Sequence, residues 1–290
     1  MSGLSPRELY EKYAPSVVAI TGSDRLGNVS IGTGFHLGDG YVATARHVVE
    51  ERSDLQLRCH YLATVSHISD IMLPKSGDDD VALLATDFSL RHYMERITTA
   101  GQPPHLKTDH IPLPAMMSDW IGNELVMTVT VMLGFPPIPT SNEPVLVAAR
   151  GEIMAVIDSY LGSQHPLFVT SSLPRGGFSG GPVLSEFGFA LGICTESLVG
   201  DGRDVSLGFG AVVSPQPIWD LLFQERIFPA SNVETAYLLR YGYDVDVAIF
   251  NLTNEQRERL DATLDEAGPE VSCVPRTKRG ARSDDVGSAF

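Results

Sequence analysis

Short apolar runs rich in Val, Ile and other β-branched residues recur through most of the chain, separated by polar breaks that carry Gly, Pro, Asn or Asp. Runs of roughly 4–8 residues bounded by turn formers predict strands rather than helices. Strands are predicted over Ser16 to Thr21, Ser30 to Leu37, Tyr41 to Thr44, Leu55 to Tyr61 and Val65 to Ile71, with turns at 24–28 and at Gly38-Asp39-Gly40. His60 and His67 alternate with apolar neighbours and read as outward-facing strand positions. A second series covers Glu124 to Gly134, Pro144 to Ile157, Pro166 to Ser172, Val183 to Leu184, Phe187 to Ile193 and Leu207 to Val213.

Helical pattern is confined to the margins. Ser5, Pro6 and Glu8 make a capped helix start, and that helix should end near Tyr13, ahead of Pro15. A helix is expected over Pro215 to Phe223, and a better capped one from Thr253 to Gly268, followed by a polar tail with little to bury. Between the two strand series, residues 86–122 lack a clear period and carry Pro103, Pro104, Pro112 and Pro114, so the divide is expected near 105–124 with Trp120 at the seam. The expected organisation is an N-terminal helix (1–13), a first β-unit (14–112), a second β-unit (113–228), and a helical extension with a disordered tail (229–290).

Composition narrows the function classes. With 36 acidic against 21 basic residues, the net charge of −15 argues against a nucleic-acid groove or an anionic membrane surface as the main partner. The three cysteines are too scattered for a disulfide framework or a zinc site. Together with an N-terminus lacking a leader-like apolar run, they suggest a cytoplasmic protein.

The stretch that carries chemistry is Gly176-Gly177-Phe178-Ser179-Gly180-Gly181-Pro182-Val183. Glycine at this density is costly in helices and strands, and is retained where backbone bends sharply or approaches another group. An acyl-transfer nucleophile needs that setting: a hydroxyl standing clear of its own chain, with the N–H groups just before and at the serine converging on one oxyanion. Upstream, His47 ends the extended run Tyr41 to Thr44 among small residues. Asp80 abuts the apolar run Val81-Ala82-Leu83-Leu84, where its carboxylate can accept an imidazole N–H at the edge of the interior. Asp78 and Asp79 are its rivals for that role.

Two other motif readings fail. Gly32-Thr33-Gly34 with Gly38 has the wrong spacing for a dinucleotide loop and leads into another strand. Asp78-Asp79-Asp80 lacks the ligand spacing and terminal glutamate of a calcium loop. No metal or cofactor is called for.

In the order His47, Asp80, Ser179, the motifs Thr44-Ala45-Arg46-His47, Asp80-Val81-Ala82-Leu83-Leu84 and Gly177-Phe178-Ser179-Gly180-Gly181-Pro182 resemble the trypsin-like serine peptidases. The likeness is greatest to the bacterial HtrA-like branch, and residues 10–222 carry it. The resemblance implies an all-β fold of two six-stranded antiparallel barrels with the site between them. It implies His47 as general base and acid, Asp80 as its orienter, Ser179 as nucleophile, and the Gly177 and Ser179 N–H groups as oxyanion hole. Leu173, Thr195, Glu196, Ser197 and Gly208 would line the substrate pocket. Leu173 stands where trypsins hold an aspartate, so cleavage after Lys or Arg is not expected.

Phe178 departs from the usual Asp or Asn before the nucleophile, and residues after Phe228 are too few for a PDZ domain. The expected partner is a protein or peptide substrate, with room for a regulatory protein. The alternative is a protein-binding module on the same scaffold with latent or lost catalysis.

Overall fold

The structure, a computed structural model, describes residues 3–59, 65–75, 79–88, 90, 108–114, 123–139, 141–157, 165–199, 206–227 and 229. Trp120, Cys273, the helix expected from Thr253 and the polar tail lie outside the described residues.

Helix α1 (Pro6–Tyr13) begins with the predicted cap. The Ser5 side chain accepts from the Glu8 N–H at 3.3 Å, and the Glu8 carboxylate accepts from the Ser5 N–H at 2.8 Å. Seven strands follow: β1 (Val17–Ser23), β2 (Val29–Gly38), β3 (Tyr41–Thr44), β4 (Ser53–Cys59), β5 (Val65–Ser66), β6 (Ile68–Met72) and β7 (Ala82–Thr86). They form one antiparallel sheet in the order β5-β4-β1-β2-β3-β7-β6. The strand predicted over Val65 to Ile71 is thus broken at His67, whose N–H donates to Asp87 Oδ1 at 2.9 Å. Its two pieces, β5 and β6, pair with opposite ends of the sheet, β4 and β7. Taken as one bent strand they bring the sheet round on itself, and it then counts six.

The second sheet contains β8 (Val129–Gly134), β9 (Val147–Ile157), β10 (Leu167–Thr170), β11 (Pro182–Ser185), β12 (Ala190–Val199) and β13 (Ser206–Val213). It is a closed barrel in the order β10-β13-β12-β11-β8-β9. The fold is therefore all-β on the double-barrel plan the resemblance implied. Among the described residues no helix is long and apolar enough to cross a membrane.

Local differences from the predicted elements have local causes. The apolar run from Glu124 is not strand until Val129, because i→i−3 bonds (Val126 to Asn123, 3.0 Å; Thr128 to Leu125, 3.0 Å) curl it into a turn. Phe187 to Phe189 is a hairpin turn, with Gly188 at φ +92°, so β12 starts only at Ala190. Directly after β3, Arg46–Val49 closes a single helical turn, α2, where the sequence suggested only the end of an extended run. Helix α3 (Gln216–Glu225) matches its prediction, ending two residues later.

Three apolar clusters organise the interior. Val18, Ile20, Val42, Leu57, Ala82 and Leu84 fill the first sheet, and Met132, Ile153, Phe168, Val183, Leu191 and Val212 fill the closed barrel. The third and largest lies between them. It joins Leu9 and Tyr13 of α1, Phe35 and Leu83 of the first sheet, Leu133 and Leu184 of the barrel, and Trp219 of α3. Alternation along the strands explains the division, since successive side chains of β1, β7 and β8 face opposite sides and feed different clusters.

Candidate active site

β3 and β7 pair antiparallel with Thr44 opposite Ala82. That register brings the end of β3 beside the start of β7, and so His47 beside Asp80. The His47 N–H donates to Asp80 Oδ1 at 3.1 Å, while Nδ1–H is shared between Oδ2 at 2.8 Å and Oδ1 at 3.0 Å. Held this way, the imidazole keeps its proton on Nδ1 and leaves Nε2 as the acceptor. The first turn of α2 also carries Arg46, which donates to Glu50 at 2.9 and 2.7 Å and holds the Glu50 carboxyl below the usual range. Asp79 faces elsewhere, 3.6 Å from His165 Nε2, and Asp78 lies outside the described residues.

Ser179 follows a tight turn in which the Phe178 N–H donates to Arg175 C=O at 3.0 Å. Gly177, third in that turn, has φ +93°. A positive φ at this place is the type II arrangement; type I would turn the Gly176–Gly177 peptide over and need a negative φ. A Cβ on Gly177 would collide with Phe135 C=O and lie 2.8 Å from Pro136 Cα, so both conformation and space demand glycine. Gly180, at φ +85°, is equally constrained: a side chain there would run into Thr33 C=O and Thr44 Oγ1 and lie 2.8 Å from Ala45 N. The serine loop thereby abuts the chain just ahead of His47.

Hydrogen bonds hold alternate peptides of this loop. Gly177 C=O accepts from Thr33 Oγ1 at 2.6 Å, Ser179 C=O accepts from Thr33 N–H at 2.9 Å, and Gly180 N–H donates to Cys194 C=O at 2.7 Å. Between them, the N–H groups of Gly177 and Ser179 have no acceptor among the described residues. The Ser179 hydroxyl donates to Thr195 C=O at 2.8 Å. Phe178 is 3% exposed and belongs to the barrel cluster, where its ring occupies the space a side chain on Gly134 would need.

Of the expected pocket residues, Leu173 is exposed and Thr195 buried. Gly208, at φ +84°, faces open space where a Cβ would meet nothing within 4 Å. Ser197 pairs with Gly210 across β12 and β13, and Gly210 lies against the backbone of Ser172 and the ring of Pro174, which brings Leu173 to the same edge. The side chains of Glu196 and Ser197 lie outside the described residues. Sequence reasoning missed Thr33, weighed only as part of a rejected phosphate loop, and the carbonyl of Thr195. The signal for Thr33 was the pair of glycines around it, since isolated strand glycines mark close backbone approach.

Comparison with known proteins agrees with this layout. The family model described as "Trypsin-like peptidase domain" matches residues 32–193, more than half of the 290-residue chain. A probable periplasmic serine endoprotease DegP-like from Chlamydia pneumoniae is 27% identical over 186 residues, covering 61% of this chain and 31% of the relative. Another of the same description, from Ectopseudomonas mendocina, is 26% identical over 214 residues, covering 72% of this chain and 39% of the relative. The chain thus spans between 31% and 39% of the length of these curated relatives. Among solved structures, the active form of the Rv3671c protease from M. tuberculosis superposes with a TM-score of 0.51 at 21% identity, over 72% of this chain and 80% of that one.

Both curated relatives are described as periplasmic, which is at odds with the cytoplasmic expectation. The cysteines do not rescue it. Cys59 and Cys194 are buried, and burial pushes the Cys59 thiol up to about 12, so both are shielded from oxidants in any compartment. On the matched family model, the chain belongs to the trypsin-like peptidase domain family.

Proposed function

We propose that this chain is a serine endopeptidase that hydrolyses peptide bonds through Ser179, His47 and Asp80. The observation that carries the reading is the pairing of a carboxylate-held imidazole with an adjoining loop that leaves the Gly177 and Ser179 N–H groups unengaged. The relatives' description as serine endoproteases supports it.

In the proposed reaction the Ser179 hydroxyl leaves Thr195 C=O and turns to His47 Nε2. As Oγ attacks the substrate carbonyl, Nε2 takes its proton, and the Asp80 carboxylate stabilises the imidazolium. The carbonyl oxygen, now an anion, is received by the Gly177 and Ser179 N–H groups. His47 then protonates the leaving amine as the C–N bond breaks, and water attacks the acyl-enzyme by the same steps in reverse. The first β-unit (14–112) supplies base and orienter, and the second (113–228) supplies nucleophile and donors. Open space at Gly208, with apolar Leu173 where trypsins hold an aspartate, suits a small or medium apolar side chain before the scissile bond rather than Lys or Arg.

A fluorophosphonate probe should label the wild type and not Ser179→Ala, and a peptide library digested by both proteins would read out the cleavage preference. Wild type that neither takes the probe nor cuts any peptide would leave the protein-binding module as the better account.

A further inference from the structure

We infer that Thr33 is a positioning residue for the oxyanion hole, an assignment that rests on the peptidase reading above. Thr33 lies on β2, in the first sheet, and is fully buried. Its hydroxyl donates to Gly177 C=O at 2.6 Å and accepts from the Phe135 N–H at 3.0 Å. Its N–H donates to Ser179 C=O at 2.9 Å, and its own C=O accepts from Thr44 Oγ1 at 2.6 Å. Every polar atom of one buried residue is therefore engaged, and two of its bonds run to the carbonyls of the two residues whose N–H groups would bind the oxyanion.

The geometry explains why this matters. With its C=O on Thr33 and its N–H on Arg175 C=O, the Gly177–Phe178 peptide is held at both ends. The Ser179–Gly180 peptide is likewise held, between Thr33 N–H and Cys194 C=O. With these two peptides fixed, the Ser179 N–H between them and the Gly177 N–H just ahead have no acceptor among the described residues. Gly177 contributes the vulnerable joint, because a glycine exchanges positive and negative φ with little cost, and a turned-over Gly176–Gly177 peptide would present a carbonyl in place of an N–H. The Thr33 hydroxyl fixes the peptide that follows this joint, and buried Phe178 anchors the loop beyond it. Because the same hydroxyl ties Phe135 to Gly177, it also fixes the loop against the backbone that forbids a side chain at Gly177.

Thr33→Val keeps the shape and removes the hydroxyl; Thr33→Ser keeps the hydroxyl. On a peptide substrate, Thr33→Val should lose about 10–100-fold in kcat with KM changed less than about threefold, because the lost interaction is made in the transition state. Thr33→Ser should stay within about threefold of wild type. Hydrogen exchange at the Phe178 amide, measured in a Ser179→Ala background, reads the same loop without any turnover. Protection there should fall in Thr33→Val and persist in Thr33→Ser.

Thr33→Val with wild-type kcat, or with unchanged Phe178 protection, would overturn the assignment. So would loss of the fold in both Thr33→Val and Thr33→Ala, which would make the residue structural. Absence of Ser179-dependent turnover in the wild type would sink the peptidase reading instead, and the exchange measurement would still decide what Thr33 holds.

Discussion

In the first sheet, His47 and Asp80 meet through their side chains, with half of the His47 side-chain surface and a third of that of Asp80 open to solvent. On the closed barrel, the loop bearing Ser179 is held almost wholly by backbone, through carbonyls and N–H groups tied to Thr33, Cys194 and Arg175. Glycines there admit neighbouring chain where a Cβ would collide. One half of the site is therefore specified by which side chains are present, and the other largely by which are absent. Substitutions of the two kinds should fail differently: loss of the His47, Asp80 or Ser179 side chain in activity with the fold intact, and a side chain added at a loop glycine in both together.

The largest effect belongs to the hydroxyl itself. Ser179→Ala should reduce kcat by about 10⁶-fold while leaving the thermal midpoint near wild type, checked by peptide hydrolysis alongside calorimetry. Asp80→Asn comes next. An amide in place of the carboxylate favours the wrong imidazole tautomer, so kcat should fall about 10⁴-fold with little change in folding. Residual activity close to wild type would remove Asp80 from the site. Gly180→Ala tests the other half of the contrast. A methyl group there meets Thr33 C=O and Thr44 Oγ1 at a strained φ, so activity should drop by about 10²–10³-fold and stability by at least about 2 kcal/mol. An unshifted melt would break the comparison.

The last effect lies away from the site, on β2 of the first sheet, and touches stability rather than activity. Burial pulls the His36 pKa from 6.5 down to about 4, only partly opposed by Asp109. Its Nε2 sits 3.5 Å from Cys59 Sγ. Between pH 6.5 and about 4 the unfolded chain binds a proton that the folded chain refuses. The stabilisation is thus complete above 6.5 and is lost as pH falls toward 4, by roughly 3 kcal/mol at about 1.36 kcal/mol per unit. Urea titrations across that window should show the loss, and His36→Gln should flatten it.

How much of this was legible beforehand follows the same contrast. Side chains announce themselves in a sequence, and their neighbours singled out His47 and Asp80, which the structure brings within hydrogen-bonding distance. Strand pairing then explains why they meet, since a register of Thr44 on Ala82 needs no residue type of its own. Glycines at 177 and 180 advertised a crowded backbone, but not what crowded it. Thr33 stayed hidden because its work is done across the two sheets, 144 positions from Gly177, by a hydroxyl that looks ordinary in a strand. The strand split at His67 was also invisible, because β5 and β6 keep one alternation while answering to different partners. Apolar content alone misled at Glu124 to Thr128 and Phe187 to Phe189, where local turn bonds won over strand propensity.

The large cluster between the sheets draws on both of them, on α1 and on α3, and the Tyr13 hydroxyl donates to Gly188 C=O in the barrel. Neither sheet can therefore lose its structure while the other keeps a dry flank. Denaturation should be a single event, and clipping the first sixteen residues should weaken the closed barrel as much as the first sheet.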